Sequence, residues 1–411
     1  MYVSRRVEEL LYKVPYVSVI AFPKNNVDDI KCVVKDHFAK FNKLDEIKSI
    51  FPLYTECKNI NALQFIDTKG GEIIDDIKKE CKAVVADGLV SIKSTKALKT
   101  DETRTITEIR EHLKVPYNIG GKGVKIGIID TGVTKLHPML ISKFFEVKRS
   151  NHFPDINGHG TWCSTASAGI FRHYVGIAYE ADLVVVKSLS DILGISTFSR
   201  LVKGLDVCIN NRPDVISMSF GAKPCDTIYD DPFYYAMSYL RSEHPDIICV
   251  AAAGNDGSKK IDGKYGSINT PGALPTDLVI TVGAWDEINH KLAYFSSRGP
   301  SKYGYVKPDI VEPGVNIISG TFGLLDILTD GKPNLFSPLS GTSMATPIAA
   351  GLFAIAKSIC NQVGEEYIHE DAVKTIDSIP IEKNNEIGKG LLTFDTIKEY
   401  LETEKGIKIK N

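Results

Sequence analysis

Between residues 124 and 282 the chain contains five short, nearly continuous apolar runs. The runs are 124–129, 183–186, 215–219, 247–252 and 278–282. A strand with one solvated face alternates apolar and polar residues, whereas a strand covered on both faces is apolar throughout. Helical patterns lie between the runs, at 196–209 and 231–242. The sequence therefore predicts an α/β fold with a mainly parallel sheet flanked by helices.

The first hundred residues have a different texture and predict a small α+β unit. Strands are expected at 16–22, 47–53, 62–66 and 89–92, and helices from Asn26 to about 41 and over 72–85. This order is β-α-β-β-α-β, the split arrangement of ferredoxin-like folds. Residues 93–104 are polar and charged, as in an exposed linker. We expect a small unit over 1–97, a linker over 98–104 and a large unit over 105–411.

Composition excludes several classes of protein. The net charge is −2 and no basic block is present, so nucleic acid is not expected as a partner. No apolar run reaches the roughly 18 residues that span a bilayer, and residues 1–25 lack a signal-peptide core. We expect no membrane partner and a cytoplasmic location, or secretion if an upstream signal belongs to the chain. The eight scattered cysteines are expected to be free thiols rather than disulfides or zinc ligands.

Four polar residues stand where buried strands or helices begin or end. Asp130 ends the run 124–129, and Asn255 follows Ala251–Gly254. His159 lies between two glycines, and Ser343 precedes Pro347 near the start of a helix. Each of the four has a structural alternative. Asp130 could cap a helix or bind a nucleotide, and His159 could be a packed structural histidine. Ser343 could be an ordinary N-cap and Asn255 a turn residue.

Taken together, the segments Ile-Asp130-Thr-Gly, Gly-His159-Gly-Thr and Gly-Thr-Ser343-Met-Ala-Thr-Pro resemble the signatures of the subtilase family, over about residues 105–400. The resemblance implies a serine endopeptidase with protein or peptide substrates. Asp130, His159 and Ser343 would be its triad, acting through an acyl-enzyme. Asn255 would join the Ser343 backbone N–H in the oxyanion hole.

The amino-terminal unit resembles the propeptide of that family, which helps the protease to fold and inhibits it until it is cleaved. The resemblance implies a self-processed zymogen whose own propeptide is an intramolecular inhibitor. Autocleavage is expected within 93–104, at a bond that the sequence does not fix.

The same resemblance predicts the substrate-binding residues. Two walls of an S1 pocket and a floor residue are expected from Ser219, Phe220, Gly221, Ala252, Ala253, Gly254 and Asn269. Many relatives have glycine at the floor, so Asn269 predicts a shallower or more polar pocket. The apolar stretch Leu189–Ile195 would offer an edge to an extended peptide, with core packing as the alternative.

Two departures from the family concern a metal and a thiol. Met139 stands where many relatives place a calcium-binding aspartate, and the loop 169–176 lacks the usual asparagines. A hard cation needs several oxygen ligands, so we expect no metal at this common calcium site, with other calcium sites left open. Cys163 resembles the free cysteine of proteinase K-like members, which predicts inhibition by mercurials.

Two other functions remain to be separated from the protease. One is a catalytically inactive subtilase-like binding protein or chaperone, and the other is a nucleotide-binding protein that uses Asp130-Thr-Gly. The presence of all four candidate residues disfavours the first, and the lack of a GxxxxGK[ST] motif disfavours the second.

Overall fold

The computed structural model describes residues 2–13, 16–40, 54–68, 71–93, 95–96, 102–141, 145–147, 155–322 and 334–409. The predicted strand at 47–53 lies outside the described residues. The chain forms a small amino-terminal unit, whose sheet ends with the strand Cys81–Ala86, and a large unit, with which the strands from Leu89 onward pair.

The small unit is a five-stranded mixed sheet in the order β1-β5-β2-β4-β3, with helices packed on it. Its elements are β1 Tyr2–Val3, α1 Arg5–Lys13, β2 Tyr16–Pro23, α2 Asp28–Lys40, β3 Tyr54–Cys57, a 3-10 turn Lys58–Ile60, β4 Ala62–Thr68, α3 Glu72–Ile77 and β5 Cys81–Ala86. From β2 onward this is the predicted β-α-β-β-α-β order. The first strand and helix extend it at the amino terminus.

Two predictions for this unit are wrong. The helix expected over 72–85 ends at Ile77, and Cys81–Ala86 is a strand that pairs with β2. A short apolar run fits the residue spacing of a helix as well as that of a strand, and here pairing with the sheet decided in favour of the strand. In addition, Leu89–Ile92 (β6) does not close the small sheet. It pairs instead with two strands of the large unit.

The large unit contains the remaining elements, in chain order. They are β7 Thr95–Lys96, β8 Arg104–Thr105, α4 Ile106–His112, β9 Lys125–Asp130, β10 Phe145–Val147, α5 His159–Ala168, β11 Ile170–Phe171, β12 Tyr174–Val175, β13 Asp182–Lys187, β14 Ile195–Thr197, α6 Phe198–Ile209, β15 Val215–Met218, β16 Phe220–Gly221, a 3-10 turn Ile228–Asp230, α7 Pro232–Glu243, β17 Ile248–Ala252, β18 Ile280–Asp286, β19 Lys291–Leu292, β20 Ile310–Pro313, β21 Ile317–Gly320, β22 Phe336–Ser340, α8 Thr342–Gln362, α9 His369–Asp377 and α10 Phe394–Thr403.

The main sheet confirms the predicted α/β fold. Its strands follow the order β10-β13-β9-β15-β17-β18-β19, and β20 also pairs with β18. All of these pairings are parallel except that of β19. Parallel strands bring their carboxyl ends to one edge, so the residues that follow β9, β15 and β17 become neighbours there.

Helix α8 packs at the centre of the larger hydrophobic core. Most of its side chains are fully buried, including Met344, Ile348 and Phe353. Within the described part of the chain, it is the helix long and apolar enough to cross a membrane, and the apolar window is wholly buried inside the protein. Its composition is therefore that of a core helix.

The small unit docks on α6 and α7 of the large unit. Residues of its sheet, such as Phe22 and Val85, share one hydrophobic cluster with Leu201 and Met237. The Asp87 carboxylate, just after β5, accepts hydrogen bonds from the Ser199 N–H at 3.0 Å and the Ser199 hydroxyl at 2.6 Å. A carboxylate at the first turn of α6 also complements the helix dipole. These contacts hold β6 in a fixed place against the large unit.

Candidate active site

Asp130 and His159 form a fully buried pair at the carboxyl edge of the main sheet. Asp130 is the last residue of β9, and His159 is the first residue of α5. The imidazole Nδ1 lies 2.8 Å from Asp130 Oδ1. Burial by itself lowers the pKa of His159. The Asp130 carboxylate outweighs this effect and holds that pKa well above its usual value.

Close backbone approach at this edge requires glycine. A Cβ added at Gly160 would lie 2.2 Å from the Gly132 carbonyl oxygen, far inside van der Waals contact. Gly158, which precedes the helix, has a φ of 94°, in the left-handed region. The glycines on both sides of His159 therefore let α5 begin against the turn that follows Asp130.

Asp155 organises this turn, and sequence reasoning missed it. Its buried carboxylate accepts hydrogen bonds from the Thr131 hydroxyl, the Gly158 N–H, and both the N–H and the hydroxyl of Thr161, all at 2.8–2.9 Å. It thereby ties the residue after Asp130 to the first turn of the helix that carries His159. An aspartate four residues before the histidine, ahead of a helix start, is the available sequence signal.

Ser343 is the second residue of α8, directly above the end of β15. Pro347 lacks the N–H that would bond the carbonyl oxygen four residues earlier, which is that of Ser343. This carbonyl instead accepts the Ser219 hydroxyl at 3.1 Å. The start of α8 is thus anchored to the sheet edge by side chains.

The Cys163 sulfur lies between the His159 imidazole and the backbone of Ser343. Cys163 Sγ lies 3.8 Å from His159 Nδ1 and 3.6 Å from the Ser343 carbonyl oxygen. The structure places the Ser343 hydroxyl on the Ser219 carbonyl oxygen at 2.8 Å. His159 Nε2 is buried and has no hydrogen-bond partner among the described residues. Cys163 thus contacts both the His159 imidazole and the backbone of Ser343, and Nε2 is the imidazole nitrogen without a partner among the described residues.

The backbone of Lys93 occupies the space in front of Ser343. Its carbonyl oxygen accepts the Ser343 N–H at 3.0 Å. Its own N–H lies 3.0 Å from Ser343 Oγ and 3.3 Å from the Ser219 carbonyl oxygen. A carbonyl group is thus held beside the serine hydroxyl by a backbone donor at the start of a helix.

Comparison with known proteins identifies the family of this chain. The sequence profile of the Subtilase family matches residues 121–390. The chain belongs to the subtilase family. It is 33% identical over 350 residues to "Serine protease AprX" of Bacillus subtilis (strain 168), covering 77% of this chain and 71% of that protein. It is 30% identical over 322 residues to "Subtilisin E" of the same strain, covering 71% and 74%.

A third relative carries a name that states its location. "Intracellular serine protease" of Paenibacillus polymyxa is 29% identical over 295 residues, covering 68% of this chain and 81% of that protein. Family and relatives together establish a subtilisin-like serine peptidase, whose substrates contain peptide bonds. Asp130, His159 and Ser343 all lie within the residues that the family profile matches.

Asn255 lies beside the start of α8, where its side-chain oxygen is bonded and its side-chain nitrogen is not. Its Oδ1 accepts the Thr342 N–H at 3.0 Å and the Thr342 hydroxyl at 2.9 Å. Its Nδ2 is buried and has no partner among the described residues. The oxygen is therefore fixed by Thr342, and two N–H donors remain available next to Ser343.

One residue of the predicted S1 walls lies against the Lys93 side chain. Gly221, which ends β16 after Phe220, is close enough that an added Cβ would lie 3.2 Å from Lys93 Cε. Of the second predicted wall, Ala252 ends β17 and Ala253 is fully buried. A Cβ added at Gly254 would lie 2.6 Å from Asn269 Nδ2, so Asn269 fills the space against that wall.

The two ends of the predicted peptide-binding edge, Leu189–Ile195, lie in different surroundings. Leu189 is fully buried in a hydrophobic cluster, which is the core packing given as its alternative. Ile195 begins strand β14, Ile195–Thr197, which pairs antiparallel with β6. Strand β6 pairs on its other side with β16, so it lies between two strands of the large unit.

Replacing Asp155 with Asn is expected to lower the free energy of unfolding by about 2–4 kcal/mol, because a buried amide nitrogen would face donors that need an acceptor. Urea denaturation of the Ser343→Ala chain, in which processing cannot intervene, measures it. The matched control is Asp277→Asn at an exposed position. An equal, small change in both variants would contradict the role of Asp155.

Mercurials are expected to abolish activity by reaching Cys163, because a mercury atom on this buried sulfur would displace His159 and the start of α8. Activity against a peptide substrate, followed during titration with a mercurial, measures this. The Cys163→Ala variant should resist inhibition, while Cys32→Ala, which removes an exposed thiol, should remain sensitive. Full activity after complete thiol modification would exclude the mechanism.

Proposed function

We propose that this subtilase is an endopeptidase made as a self-processed zymogen, with Asp130, His159 and Ser343 as its catalytic triad. The supporting observation is the substrate-like placement of Lys93, whose carbonyl oxygen lies 3.0 Å from the Ser343 backbone nitrogen. The strand that leads to it is paired on both sides, as an extended peptide substrate would be. The small unit is then an intramolecular propeptide and inhibitor, and the bond after Lys93 is the one cleaved.

The chemistry begins with the transfer of a proton to His159. Rotation of the Ser343 side chain from the Ser219 carbonyl would bring its hydroxyl to His159 Nε2, which accepts the proton as the oxygen attacks the Lys93 carbonyl carbon. The Asp130 carboxylate fixes the imidazole tautomer and stabilises the imidazolium. The negative charge on the carbonyl oxygen is stabilised by the Ser343 N–H and the free amide of Asn255.

Collapse of the tetrahedral intermediate completes the cleavage. The bond from the Lys93 carbonyl carbon to the nitrogen of Ser94 breaks, and His159 gives its proton to the departing amine. Water then hydrolyses the ester on Ser343, with His159 as the base again. The same steps apply to external peptides once the small unit has left.

We also propose an intracellular location. Support comes from the name of the Paenibacillus polymyxa relative, "Intracellular serine protease", and from the thiols of this chain. All eight cysteines are free, and six of them are buried. Unpaired thiols are typical of reducing compartments.

The full-length chain tests the proposed function directly. Wild type and Ser343→Ala are incubated under the same conditions and their masses are measured. The wild type should yield a fragment that ends at Lys93, and a fluorophosphonate should label its Ser343, while the variant should remain intact and unlabelled. An unchanged, unlabelled wild type would favour the inactive binding protein, and a cut elsewhere would contradict the assigned bond.

The proposed absence of calcium from the common family site rests on Met139 and the loop that follows α5. Met139 is fully buried, and strands β11 and β12 form a hairpin with Arg172 and His173 at its turn. We expect EGTA to leave the melting temperature of the Ser343→Ala chain unchanged, because this site offers too few oxygen ligands. Differential scanning calorimetry with EGTA, and then with excess calcium, measures it. A decrease reversed by calcium, and removed by substitutions in this loop, would contradict the prediction.

A further inference from the structure

Two histidines and a glutamate meet at a small cavity where helix α4 ends. The cavity has a volume of about 230 Å³, and its polar lining consists of Arg104, Glu108, His112, Glu287 and His290. His112 is the last residue of α4, while Glu287 and His290 lie in the turn that joins β18 to β19. The cavity thus lies between the first helix of the large unit and a strand of the main sheet.

One carboxylate oxygen is close to both imidazoles. Glu287 Oε1 lies 3.0 Å from His112 Nε2 and 3.8 Å from His290 Nδ1. Ligand atoms that share a tetrahedral zinc ion, each at about 2.0–2.2 Å from the metal, lie roughly 3.3–3.6 Å apart. The two separations found here bracket the distance that a zinc ion would impose on these ligands.

The second oxygen of the same carboxylate is buried without a partner. The Glu287 side chain is 8% exposed, and its Oε2 has no hydrogen bond among the described residues. A buried carboxylate is costly unless a donor or a cation compensates for it. The turn around it is held by Asp286, which accepts hydrogen bonds from the Asn289 N–H at 3.2 Å and from the Asn289 side-chain amide at 2.9 Å. The unsatisfied acid is therefore presented by an ordered backbone.

The charges and ligand types at the cavity suit a transition-metal dication. With neutral imidazoles, the carboxylates of Glu108 and Glu287 exceed the guanidinium of Arg104 by a single negative charge. Glu108 Oε2 is already bonded to Thr105, accepting its N–H at 2.6 Å and its hydroxyl at 2.9 Å, so Glu108 is a neighbouring charge. Two imidazoles and one carboxylate form a set that zinc favours, whereas calcium and magnesium require mainly oxygen ligands.

We propose that His112, Glu287 and His290 bind a zinc ion, with a water molecule as the fourth ligand. The His290 side chain is 77% exposed, and it turns toward His112 to complete the site. The metal ties the end of α4 to the turn after β18, and so fastens the helix that follows the linker onto the main sheet. This site shares no residue with the proposed proteolytic machinery.

A second group of possible ligands has to be removed before zinc binding is measured. Atoms of Asp130, His159 and Cys163 that can bind a metal lie within 4.8 Å of one another in the described part of the chain. The full-length test chain therefore carries Cys163→Ala, and also Ser343→Ala to exclude self-cleavage by this serine. Starting from metal-free protein keeps this measurement separate from the calcium test, in which reversal by calcium is the deciding outcome.

Isothermal titration of this chain with zinc chloride tests the site. One equivalent should bind, and His112→Ala and His290→Ala should each weaken the affinity at least about 100-fold, because each removes one of three protein ligands. His173→Ala removes an exposed histidine outside the cavity and should bind zinc as the parent chain does. Failure of the parent chain to bind zinc, or unchanged binding by the double variant of His112 and His290, would overturn the proposal.

Thermal unfolding provides a second measurement and a test of folding. Zinc at about 100 times its dissociation constant should raise the melting temperature of the parent chain by several degrees, because it binds only the folded state. The metal-free variants should melt as the metal-free parent does, and zinc should not shift them. If the histidine variants fail to fold, Glu287→Gln provides the same comparison. An equal rise in parent and variants would place the zinc elsewhere and overturn the site.

The outcomes for this site and for the proposed function are separate. Absence of zinc binding would overturn the metal site and leave the endopeptidase in place. Absence of autocleavage in the wild type would count against the proposed zymogen without changing the zinc titration, which uses a chain that lacks the Ser343 hydroxyl.

Discussion

The parallel alignment of β9, β15 and β17 is the constraint on which the rest of the molecule depends. Register places these strands side by side, so Asp130, Ser219 and Asn255 meet at one edge although they are far apart in sequence. Helix α8 fills the core beneath this edge and presents Ser343 to it. A shift of one strand would separate all of these groups at once, because each is placed by the backbone that precedes it.

The buried polar groups at this edge show where stability and chemistry conflict. A buried polar atom without a partner is costly, yet His159 Nε2 and Asn255 Nδ2 are both left in that state. Other groups at this edge are bonded: Asp155 accepts four hydrogen bonds and Thr342 holds Asn255 Oδ1. The two atoms that the proposed reaction uses are thus among the buried polar atoms without a partner in the described part of the chain, together with Asp130 Oδ2, Thr134 Oγ1 and Ser217 Oγ.

The small unit holds Lys93 in front of Ser343 although its sheet docks on a different part of the large unit, helices α6 and α7. Contacts with α6 and α7 are apolar and are extended by the Asp87 cap. They fix the start of β6, and pairing on both of its sides then carries the chain to Lys93. Contacts that the small unit makes far from Ser343 thus hold the segment that ends at Lys93 in front of this serine. In the proposed zymogen, the same contacts would keep the small unit in place after cleavage of the bond after Lys93.

The sequence alone determined the parts that depend on local pattern. Apolar runs predicted the parallel sheet, because strands covered on both faces admit few polar residues. The segments around Asp130, His159 and Ser343 predicted the site through their joint resemblance to the subtilase signatures, since each residue taken alone has a structural alternative. Tertiary structure decided what depends on distant partners: the strand at Cys81–Ala86, the burial of Leu189, the network of Asp155, and the placement of Lys93 against Ser343. A short apolar run has no fixed partner in sequence, and its pairing is chosen only when distant strands compete for it in the folded protein.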